Sequence, residues 1–552
     1  MHSSGIQGGA LALAAFLAIP AHAAVVVSNA ATRHMSCSAG VCSPTAKNAV
    51  LNAADLQTML ATSDVKVTTG AGAVAIGIDA PLTWASANRL TLDSERGVSV
   101  KAAVVSQGTG GVTITLNDGG SGGNLAFFPG GSVGFWDNSS SLIIDGNGYA
   151  LVSDLAALAS AIALAPSGFY ALAKDPTLSN PYAAAPIPTL FQGTFEGLGH
   201  TITRIDISPQ EGNGLDAGLF AQTAPGSVLR DVHFVNAHML CLGNLIHIGL
   251  LAGVSRGDIY GVTAEGSISC DQGNYVGGLV GLIESGSLTN SSAKMQMDGR
   301  SFITGGLAGE NDGTIANASA SGRVGGGYNA DSGGLVGYSI GLIADSHATG
   351  NVLSGQANAS GGLVALAGGT IARCYATGNV TAKNGAGGLV GSASGATIDS
   401  SFATGSVRAV RYAGGLAGIG KESTTIVNSY SMGAATATAA RVWAGGLVGD
   451  YDGGASIATS YSTGAVSGTG FEGGFAGLLK QTPVTGGYWD LDTSTISDPA
   501  QGAGNKANYS GITGLTTAQF QSGLPAGLDP SVWAQSLSIN NGFPYLLANP
   551  PH

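Results

Sequence analysis

Charged residues are scarce in this sequence, and their scarcity limits the partners that the protein can have. Only 10% of its 552 residues are Asp, Glu, Lys or Arg, against about 25% in an average globular chain. Acidic residues outnumber basic ones by 33 to 21, so the formal net charge is −12. Because a nucleic-acid backbone requires clustered lysine and arginine, we expect no nucleic-acid partner. With 44% hydrophobic residues, ordinary disorder is also disfavoured.

Long apolar runs are absent as well. No stretch after the N-terminal 23 residues contains 18 consecutive apolar residues, so we expect no transmembrane helix. The short apolar run 11–20 is followed by Ala21, His22 and Ala23, a pattern typical of a signal-peptide cleavage site. We therefore predict a signal peptide over residues 1–23 and export of the mature chain. A buried N-terminal helix is the alternative, because the first basic residue is only Arg33.

Cysteine is also rare, with five residues in the whole chain. In an oxidising compartment Cys37 and Cys42 are close enough in sequence to pair, and Cys241 and Cys270 form a second candidate pair. Cys374 is then left over, since an odd number leaves at least one thiol free or intermolecular.

Glycine, in contrast, is abundant, with 90 residues, and no Gly-X-Y period runs through them, which argues against collagen. Many of these glycines belong to a short motif of the form GG-[LF]-[VA]-[GA]. Successive copies begin 26 to 31 residues apart, and a period in this range indicates a solenoid or array. The copies begin at Gly277, Gly305, Gly333, Gly361, Gly387, Gly414, Gly445 and Gly473, and weaker ones at Ala217 and Gly249.

Each repeat contains three short β-rich segments separated by turn residues. None of these segments has the 3.6-residue apolar period of a helix. Three strands per repeat predict an all-β fold, a parallel β-helix with coils of roughly 28 residues and short capping helices. Equivalent residues then stack about 4.8 Å apart, with the motif leucines and the following isoleucines pointing inward. A β-propeller is the rival, but its blades need about 40–50 residues.

Stacking of the coils brings one pair of cysteines together. Cys241 lies ten residues before Leu251 of one repeat, and Cys270 lies nine before Leu279 of the next. In neighbouring coils their Cα atoms would fall within the range of about 4.4–6.8 Å that a disulfide needs. We therefore consider a Cys241–Cys270 disulfide, with two buried free thiols as the alternative.

The flanks of the repeat lack its period. Residues 24–150 are predicted to be β-rich, with a short helix over residues 53–60. Residues 151–190 are predicted to form a helix over residues 151–164, followed by a proline-containing loop. The C-terminal flank is expected to cap the solenoid. The expected regions are residues 24–150 (β-rich), 151–190 (helix and loop), 191–480 (β-helix) and 481–552 (cap).

Several short segments of the sequence resemble segments of a known protein family. The repeat units resemble the GLUG motif of bacterial surface and secreted proteins. The phrase FQGTFEGLGHTI at Phe191 is similar to the one that opens GLUG regions in filamentous-haemagglutinin-like and autotransporter-passenger-like proteins. GYWD at Gly487 and GLTTAQ at Gly514 resemble the phrases that close them, and residues 52–93 resemble the region that precedes them. The resemblance implies a right-handed β-helix exported to the cell surface or medium, often for adhesion.

The same resemblance implies the kind of partner to expect. Host or matrix glycans and proteins are the expected ligands, and an outer-membrane transporter is the expected export partner. No cofactor is expected.

Two local patterns could carry binding chemistry. Arg256, Gly257 and Asp258 form an RGD tripeptide, which in some adhesins is a receptor ligand, but a solvated turn of the repeat explains the same residues. Three histidines and a cysteine lie within 15 positions, at spacings that match no standard zinc pattern, so we favour surface or corner histidines over a metal site. They are His233, His238, Cys241 and His247.

These observations favour an exported, non-catalytic β-helix protein, adhesin-like or part of a matrix. The alternative is a β-helix enzyme that degrades polysaccharides, either a lyase or a glycosidase. Such an enzyme needs clustered carboxylates for general acid–base chemistry, or basic residues that face an acidic sugar. The charged candidates are scattered, and solvated turn charges explain them as well. They are Asp298, Arg300, Asp312, Asp331, Asp345, Arg408 and Arg411.

Overall fold

The computed structural model describes residues 24–209, 215–242, 245–271, 273–299, 301–325 and 330–551. The predicted signal peptide, residues 1–23, lies outside the described residues. The chain divides into two compact units, Met1–Gly148 and Tyr149–His552. No helix of the described residues is both long enough and apolar enough to cross a membrane.

The first unit is built from short strands whose alternate residues are buried, as in the strand Ala24–Ser28. One sheet contains, in spatial order, Val50–Asn52, Ala24–Ser28, Ala75–Ile78, Val98–Val100 and Leu125–Phe127. A second contains Leu82–Trp84, Ala103–Ser106 and Ser132–Phe135. A third row contains Met35–Ser38, Val41–Pro44, Val65–Thr68, Leu90–Asp93, Val112–Thr115 and Leu142–Ile144.

The length of the coils varies within this unit, which explains why the sequence has no period there. Val104 pairs with Leu82, 22 residues before it, whereas Leu142 pairs with Val112, 30 residues before it. Both pairings are parallel. The region is β-rich, as its sequence predicts, and its strands form coils as well.

Two local features of the first unit follow from short-range chemistry. The helix Ala53–Leu60 occupies the residues predicted for it, and its N-cap residue Asn52 accepts hydrogen bonds from the first backbone N–H groups. Before it, the strands Met35–Ser38 and Val41–Pro44 form an antiparallel hairpin. This hairpin places Cys37 opposite Cys42, and the two form a disulfide with Cα atoms 4.0 Å apart.

In the repeat of the second unit a coil contributes up to four strand positions. We name these positions, in chain order, the glycine strand, the valine strand, the isoleucine strand and the corner strand. The glycine strand leads into the first motif glycine. The valine strands form a ten-stranded parallel sheet. Its members are Phe220–Gln222, Ala252–Ser255, Val280–Ile283, Ala308–Asn311, Val336–Ser339, Val364–Ala367, Val390–Ser394, Ala417–Lys421, Val448–Tyr451 and Ala476–Leu479.

The other three positions form parallel rows beside this sheet. The isoleucine strands are Asn147–Asp154, Phe169–Thr177, Thr194–Glu196, Val228–Arg230, Asp258–Tyr260, Ser287–Thr289, Thr314–Ala316, Leu342–Ala344, Thr370–Ala372, Thr397–Asp399, Thr425–Val427, Ser456–Ser462, Val484–Asp490 and Ile512–Leu515. The corner strands are Thr201–Thr203, Asp206–Ile207, His233–Cys241, Thr263–Cys270, Ser292–Gly299, Ser319–Ala320, Val324–Gly325, His347–Ala348, Val352–Leu353, Tyr375–Ala376, Val380–Ala382, Phe402–Ala403, Val407–Ala409, Tyr430–Ser431, Ala435–Gly445 and Val466–Gly473. The glycine strands are Leu215–Ala217, Leu245–Gly249, Tyr275–Gly277, Ile303–Gly305, Asp331–Gly333, Ala359–Gly361, Gly385–Gly387 and Tyr412–Gly414.

The register between coils confirms the predicted β-helix. Ile343 lies opposite Ile371, and Val352 lies opposite Val380, in parallel pairs one repeat apart. The predicted inward leucines are all fully buried, so each coil covers the apolar residues of its neighbours. These leucines are Leu279, Leu307, Leu335, Leu363, Leu389, Leu416 and Leu447.

The paired motif glycines are required by close approach of the backbone. A Cβ atom on Gly334 would lie 2.0 Å from the carbonyl oxygen of Gly362 in the next coil. A Cβ atom on Gly333 would lie 1.9 Å from the carbonyl oxygen of Val336 in its own coil. No larger residue fits either position without moving the backbone.

Seven successive coils turn after the isoleucine strand through one residue with a φ angle between 43° and 53°. Asn and Asp, which occupy most of these positions, tolerate this conformation best. The next residue is a buried serine in several coils; Ser401 Oγ accepts the Cys374 N–H at 3.0 Å and donates to the Asp399 carbonyl. Cys374 occupies this position in its own coil, and its Sγ donates to the Ala372 carbonyl. The turn residues are Asn290, Asn317, Asp345, Arg373, Ser400, Asn428 and Thr459.

The structure differs from the sequence prediction before the repeat. The helix is Leu155–Leu164, and the residues assigned to its first turn belong to the strand Asn147–Asp154. Phe169–Thr177, within the predicted loop, is a strand that pairs with Thr194–Glu196. The prolines mislead because Pro176 stands at the end of this strand, where a missing N–H costs little.

The structure also differs after the repeat. The strands Val484–Asp490 and Ile512–Leu515 continue the isoleucine row beyond residue 480. The rest of the chain, residues 516–551, contains the helix Thr517–Gln521, the antiparallel strands Trp533–Ala534 and Tyr545–Leu546, and a short 3-10 turn, Asn540–Gly542. We call this segment the C-terminal tail.

The C-terminal tail packs against a ladder of stacked aromatic rings at the corner of the coils. The ring centroids of Tyr375, Phe402, Tyr430 and Tyr461 are successively 5.1, 4.9 and 5.0 Å apart. Trp533 of the tail contacts the last two rings. The ladder therefore packs between the coils and the tail and does not form an open surface.

Candidate functional site

Two columns of side chains line the outer face where the glycine and valine strands meet. Most of these side chains are half-buried, and each column has one member per coil. The first outer column is Asp216, His247, Tyr275, Ile303, Asp331, Ala359, Gly385, Tyr412, Trp443 and Phe471. The second outer column is Gln222, Val254, Leu282, Glu310, Tyr338, Leu366, Ser392, Ile419, Asp450 and Leu478.

The last motif glycine keeps the two columns close together. A Cβ atom on Gly337 would lie 2.4 Å from the Ile303 side chain of the first column. Where the first column has only Gly385, the Ile419 side chain of the second column lies over it. The result is a continuous face that mixes apolar, aromatic and acidic groups along successive coils.

At its N-terminal end the face carries a histidine held by a carboxylate. His247 Nδ1 lies 2.7 Å from Asp216 Oδ1, and the His247 ring stacks on Tyr275 with centroids 5.5 Å apart. Gln222 of the second column donates to Asp216 Oδ2 at 2.5 Å. This network fixes the ring of His247 and links the two columns.

Glu310 lies next along this face, in a partly desolvated position. Burial raises the pKa of the Glu310 carboxyl, and the Asp312 carboxylate raises it further. Burial also raises the pKa values of Tyr275 and Tyr338, to which Glu310 contributes. These groups supply hydrogen-bond donors, acceptors and ring surfaces side by side, a combination suited to a polar polymer.

At its C-terminal end the face becomes aromatic. Tyr412, Trp443 and Phe471 are consecutive members of the first column. The rings of Trp443 and Phe471 are stacked, with centroids 4.3 Å apart and planes inclined by 22°. Phe471 is 43% exposed, so this stack, unlike the one under the C-terminal tail, is open to solvent.

A separate buried network begins in the phrase at Phe191. Arg230 Nε lies 2.9 Å from Glu196 Oε2 and 2.9 Å from Asp231 Oδ2. Glu196 is fully buried, and burial raises its pKa to about 8; burial likewise raises the pKa of Asp231 to about 6. Both carboxylates are buried, so the network lies within a turn of the coil.

The histidines of the predicted cluster have different partners. His233 Nδ1 lies 2.8 Å from the Thr263 hydroxyl, and His238 Nδ1 lies 3.4 Å from Asp206 Oδ1. His247 belongs to the outer face described above. In the part of the chain that the structure describes, no three His, Cys, Asp or Glu side chains are placed to hold a metal ion.

The second cysteine pair lies at matching positions of two corner strands. Cys241 is directly opposite Cys270 in the parallel register between His233–Cys241 and Thr263–Cys270. The structure joins them as a disulfide, with Cα atoms 4.5 Å apart. Cys374 is a buried free thiol.

The RGD tripeptide lies in the turn that its repeat position predicts. Gly257 is buried, Arg256 forms an ion pair with Glu284, and Asp258 accepts a hydrogen bond from the Ser287 hydroxyl at 2.7 Å. Both charged side chains are therefore held by neighbouring coils.

The scattered charges considered for an enzyme are not brought together. Asp298 pairs with Arg323, Asp345 pairs with Arg373, and Asp331 accepts the backbone N–H of Ala359. Arg300 lies outside the described residues. Arg408 and Arg411 are exposed, and Asp312 adjoins Glu310 on the outer face.

The two outer columns were not predicted from the sequence, although it contains a signal for them. Their members stand two residues before each GG pair and directly after each five-residue motif. The residue at each of these two positions differs from repeat to repeat, so a search for invariant motif residues does not find them.

Comparison with known proteins supports the repeat assignment. The family model described as the GLUG motif matches residues 272–296 and 356–381. The chain carries GLUG motifs. It is 40% identical over 105 residues to halomucin from Haloquadratum walsbyi, a match that covers 19% of this chain and spans 1% of the length of halomucin.

One solved structure is similar over a large share of both chains. It is described as a "putative immunoglobulin A1 protease" from Bacteroides ovatus, with 15% sequence identity and a TM-score of 0.21. The match covers 73% of this chain and 92% of that one. The β-helix assignment rests on the strand register described above.

Proposed function

We propose that this protein is an extracellular or cell-surface repeat protein, adhesin-like or part of a matrix, that binds other molecules without catalysis. The observation that carries the proposal is the outer face, in which two columns of varied side chains run along ten valine strands. The GLUG motifs and the similarity to halomucin support a surface or extracellular role.

A long, rigid face suits this role because it binds through area and repetition. Each coil presents one residue of each column, so a polymer lying along the coils meets a new pair of side chains about every 4.8 Å. Weak contacts at successive coils add up when one chain engages several of them.

The location of the protein tests this proposal first. Source cells are fractionated, intact cells are treated with protease, and the protein is followed with an antibody. We expect it on the cell surface, removed by the protease, or in the medium. Retention inside intact, protease-treated cells would refute the proposal.

A polysaccharide-degrading enzyme is the second candidate, favoured by the placement of Glu310. Burial and the Asp312 carboxylate raise the pKa of the Glu310 carboxyl, as a general acid requires. The purified chain is incubated with a polysaccharide panel, and new reducing or unsaturated ends are measured. Release that disappears in Glu310→Gln but persists in Glu265→Gln, an exposed carboxylate elsewhere, would replace the non-catalytic proposal with this one.

A further inference from the structure

A group of basic residues lies beside the open aromatic stack, at the edge where the corner strands lead into the glycine strands. Lys383, Arg411 and Arg441 belong to three successive coils and are all exposed. The Arg411 N–H donates to the Lys383 carbonyl, and the Trp443 N–H donates to the Arg411 carbonyl, so the three coils stack directly. We call these three cations together with Tyr412, Trp443 and Phe471 the basic–aromatic edge.

These cations differ from others of the same unit in having no acidic partner. Lys294 pairs with Glu265 at 2.9 Å, and Arg323 pairs with Asp298 at 2.5 Å. Within the described residues, none of the three cations of the basic–aromatic edge forms an ion pair. In a chain with a net charge of −12, neighbouring unpaired cations create a local field of the opposite sign, which attracts anions.

The local structure at this edge is irregular. The repeat before Gly445 is the longest, at 31 residues, and its extra residues extend the strand Ala435–Gly445. The pairing of this strand with Val466–Gly473 shifts register twice, around Ala440. Arg441 has a φ angle of 59° in this irregular segment and is exposed on it.

We propose that the basic–aromatic edge binds an acidic polysaccharide, whose sugar rings contact the aromatic stack and whose carboxylate or sulfate groups pair with the cations. A pyranose ring has an apolar C–H face that packs on an aromatic ring, and Phe471 ends its stack with an exposed ring. Arginine pairs with carboxylate and sulfate oxygens through two parallel hydrogen bonds. Cations one coil apart, about 4.8 Å per coil, suit a polymer with one charge per sugar.

The inference rests on the proposed function and names the class of its partner. Glu472, which adjoins Phe471, accepts a hydrogen bond from the Gly468 backbone N–H, so it is held within its own strand.

Binding of the full chain to polygalacturonate, measured by isothermal titration calorimetry with neutral dextran as the comparison ligand, tests the inference. We expect binding to polygalacturonate alone, weakened at least tenfold in Arg411→Gln/Arg441→Gln. The control Lys294→Gln/Arg323→Gln removes the same charge from paired sites and should change the Kd less than twofold. Phe471→Ala should weaken binding even in high salt, where ionic contacts are screened.

Four results would overturn the inference. They are no binding of polygalacturonate, equal binding of dextran, equal losses in the edge and control variants, and binding of DNA or phosphatidylglycerol vesicles as tight as that of polygalacturonate. Failure of the inference is separable from failure of the proposed function. A surface-located protein that binds no acidic polysaccharide refutes only the inference, whereas a protein confined inside the cell refutes the function.

Discussion

Gly334 has room for nothing larger than a hydrogen atom on its Cα, and this constraint recurs in the equivalent glycines from Gly278 to Gly446. A Cβ atom there would lie 2.0 Å from a backbone oxygen that cannot move without disturbing the next coil. We expect Gly334→Ala to lower the free energy of unfolding by about 3 kcal/mol or more, since the added methyl group overpacks the contact between two backbones and forces them apart. Urea denaturation followed by circular dichroism measures the change.

Gly355 supplies the matched control, because a Cβ atom there meets no atom within 4 Å. Gly355→Ala should change stability by no more than about 0.5 kcal/mol. Equal effects of the two substitutions would show that close approach of the backbone is not what the motif glycines provide.

The raised pKa of Glu196, again a property of a single residue, predicts that the stability of the protein depends on pH. Its pKa of about 8 lies above the ordinary value of 4.5, so the folded protein holds a proton that the unfolded chain releases. This stabilisation is complete below about pH 4.5 and is lost as the pH rises through 8. We therefore expect parent stability to fall between pH 5 and pH 8, and to fall less in Glu196→Gln. Denaturation midpoints across this range test it, and identical slopes would contradict it.

At the scale of the element, the C-terminal tail contacts coils whose residues lie far from it in the sequence. Asn549 Nδ2 donates to the carbonyl of Cys374 and to that of Ser400, each at 3.1 Å. Tyr461 donates its hydroxyl proton to the Pro544 carbonyl at 2.5 Å. The tail thus covers the side of the coils along the aromatic ladder, while Trp489 and Ile496 of the preceding segment complete the core of the last coil.

Removal of one tail side chain should release the tail without unfolding the coils. Trp533 is 1% exposed and packs on two ladder rings, so Trp533→Ala should cost about 3–5 kcal/mol of the tail's attachment. Hydrogen–deuterium exchange should become faster over residues 516–551 and stay slow in the valine strands. Leu537→Ala, at a residue 77% exposed, is the control and should change neither. Unaltered exchange in the tail of Trp533→Ala would contradict this attachment.

At the scale of the whole molecule, the repeat was predictable because one physical constraint recurs in every coil. Leu335 and Ile343 could be placed in the core from spacing alone, since each stacks on its equivalent in the next coil. The first unit was harder, because its coils vary in length and no register repeats in the sequence. The outer columns were not predicted because their members, such as Glu310 and Trp443, occupy equivalent positions in their repeats but have no side-chain chemistry in common. The contacts of Trp533 depend on folding back over distant coils, which local patterns do not encode.

The same nearest-neighbour logic predicts that a single coil can be removed. Deletion of residues 334–361 joins Gly333 to Gly362, which restores the GG pair and removes one member from each ladder. Every remaining coil keeps neighbours of the same type, so we expect cooperative folding with a melting temperature close to that of the parent. A deletion of half a coil, residues 334–347, brings mismatched positions together and should prevent folding of the repeat. Circular dichroism melts of the two deletions decide the matter, and equal damage by both would show that stability does not depend on the register between coils.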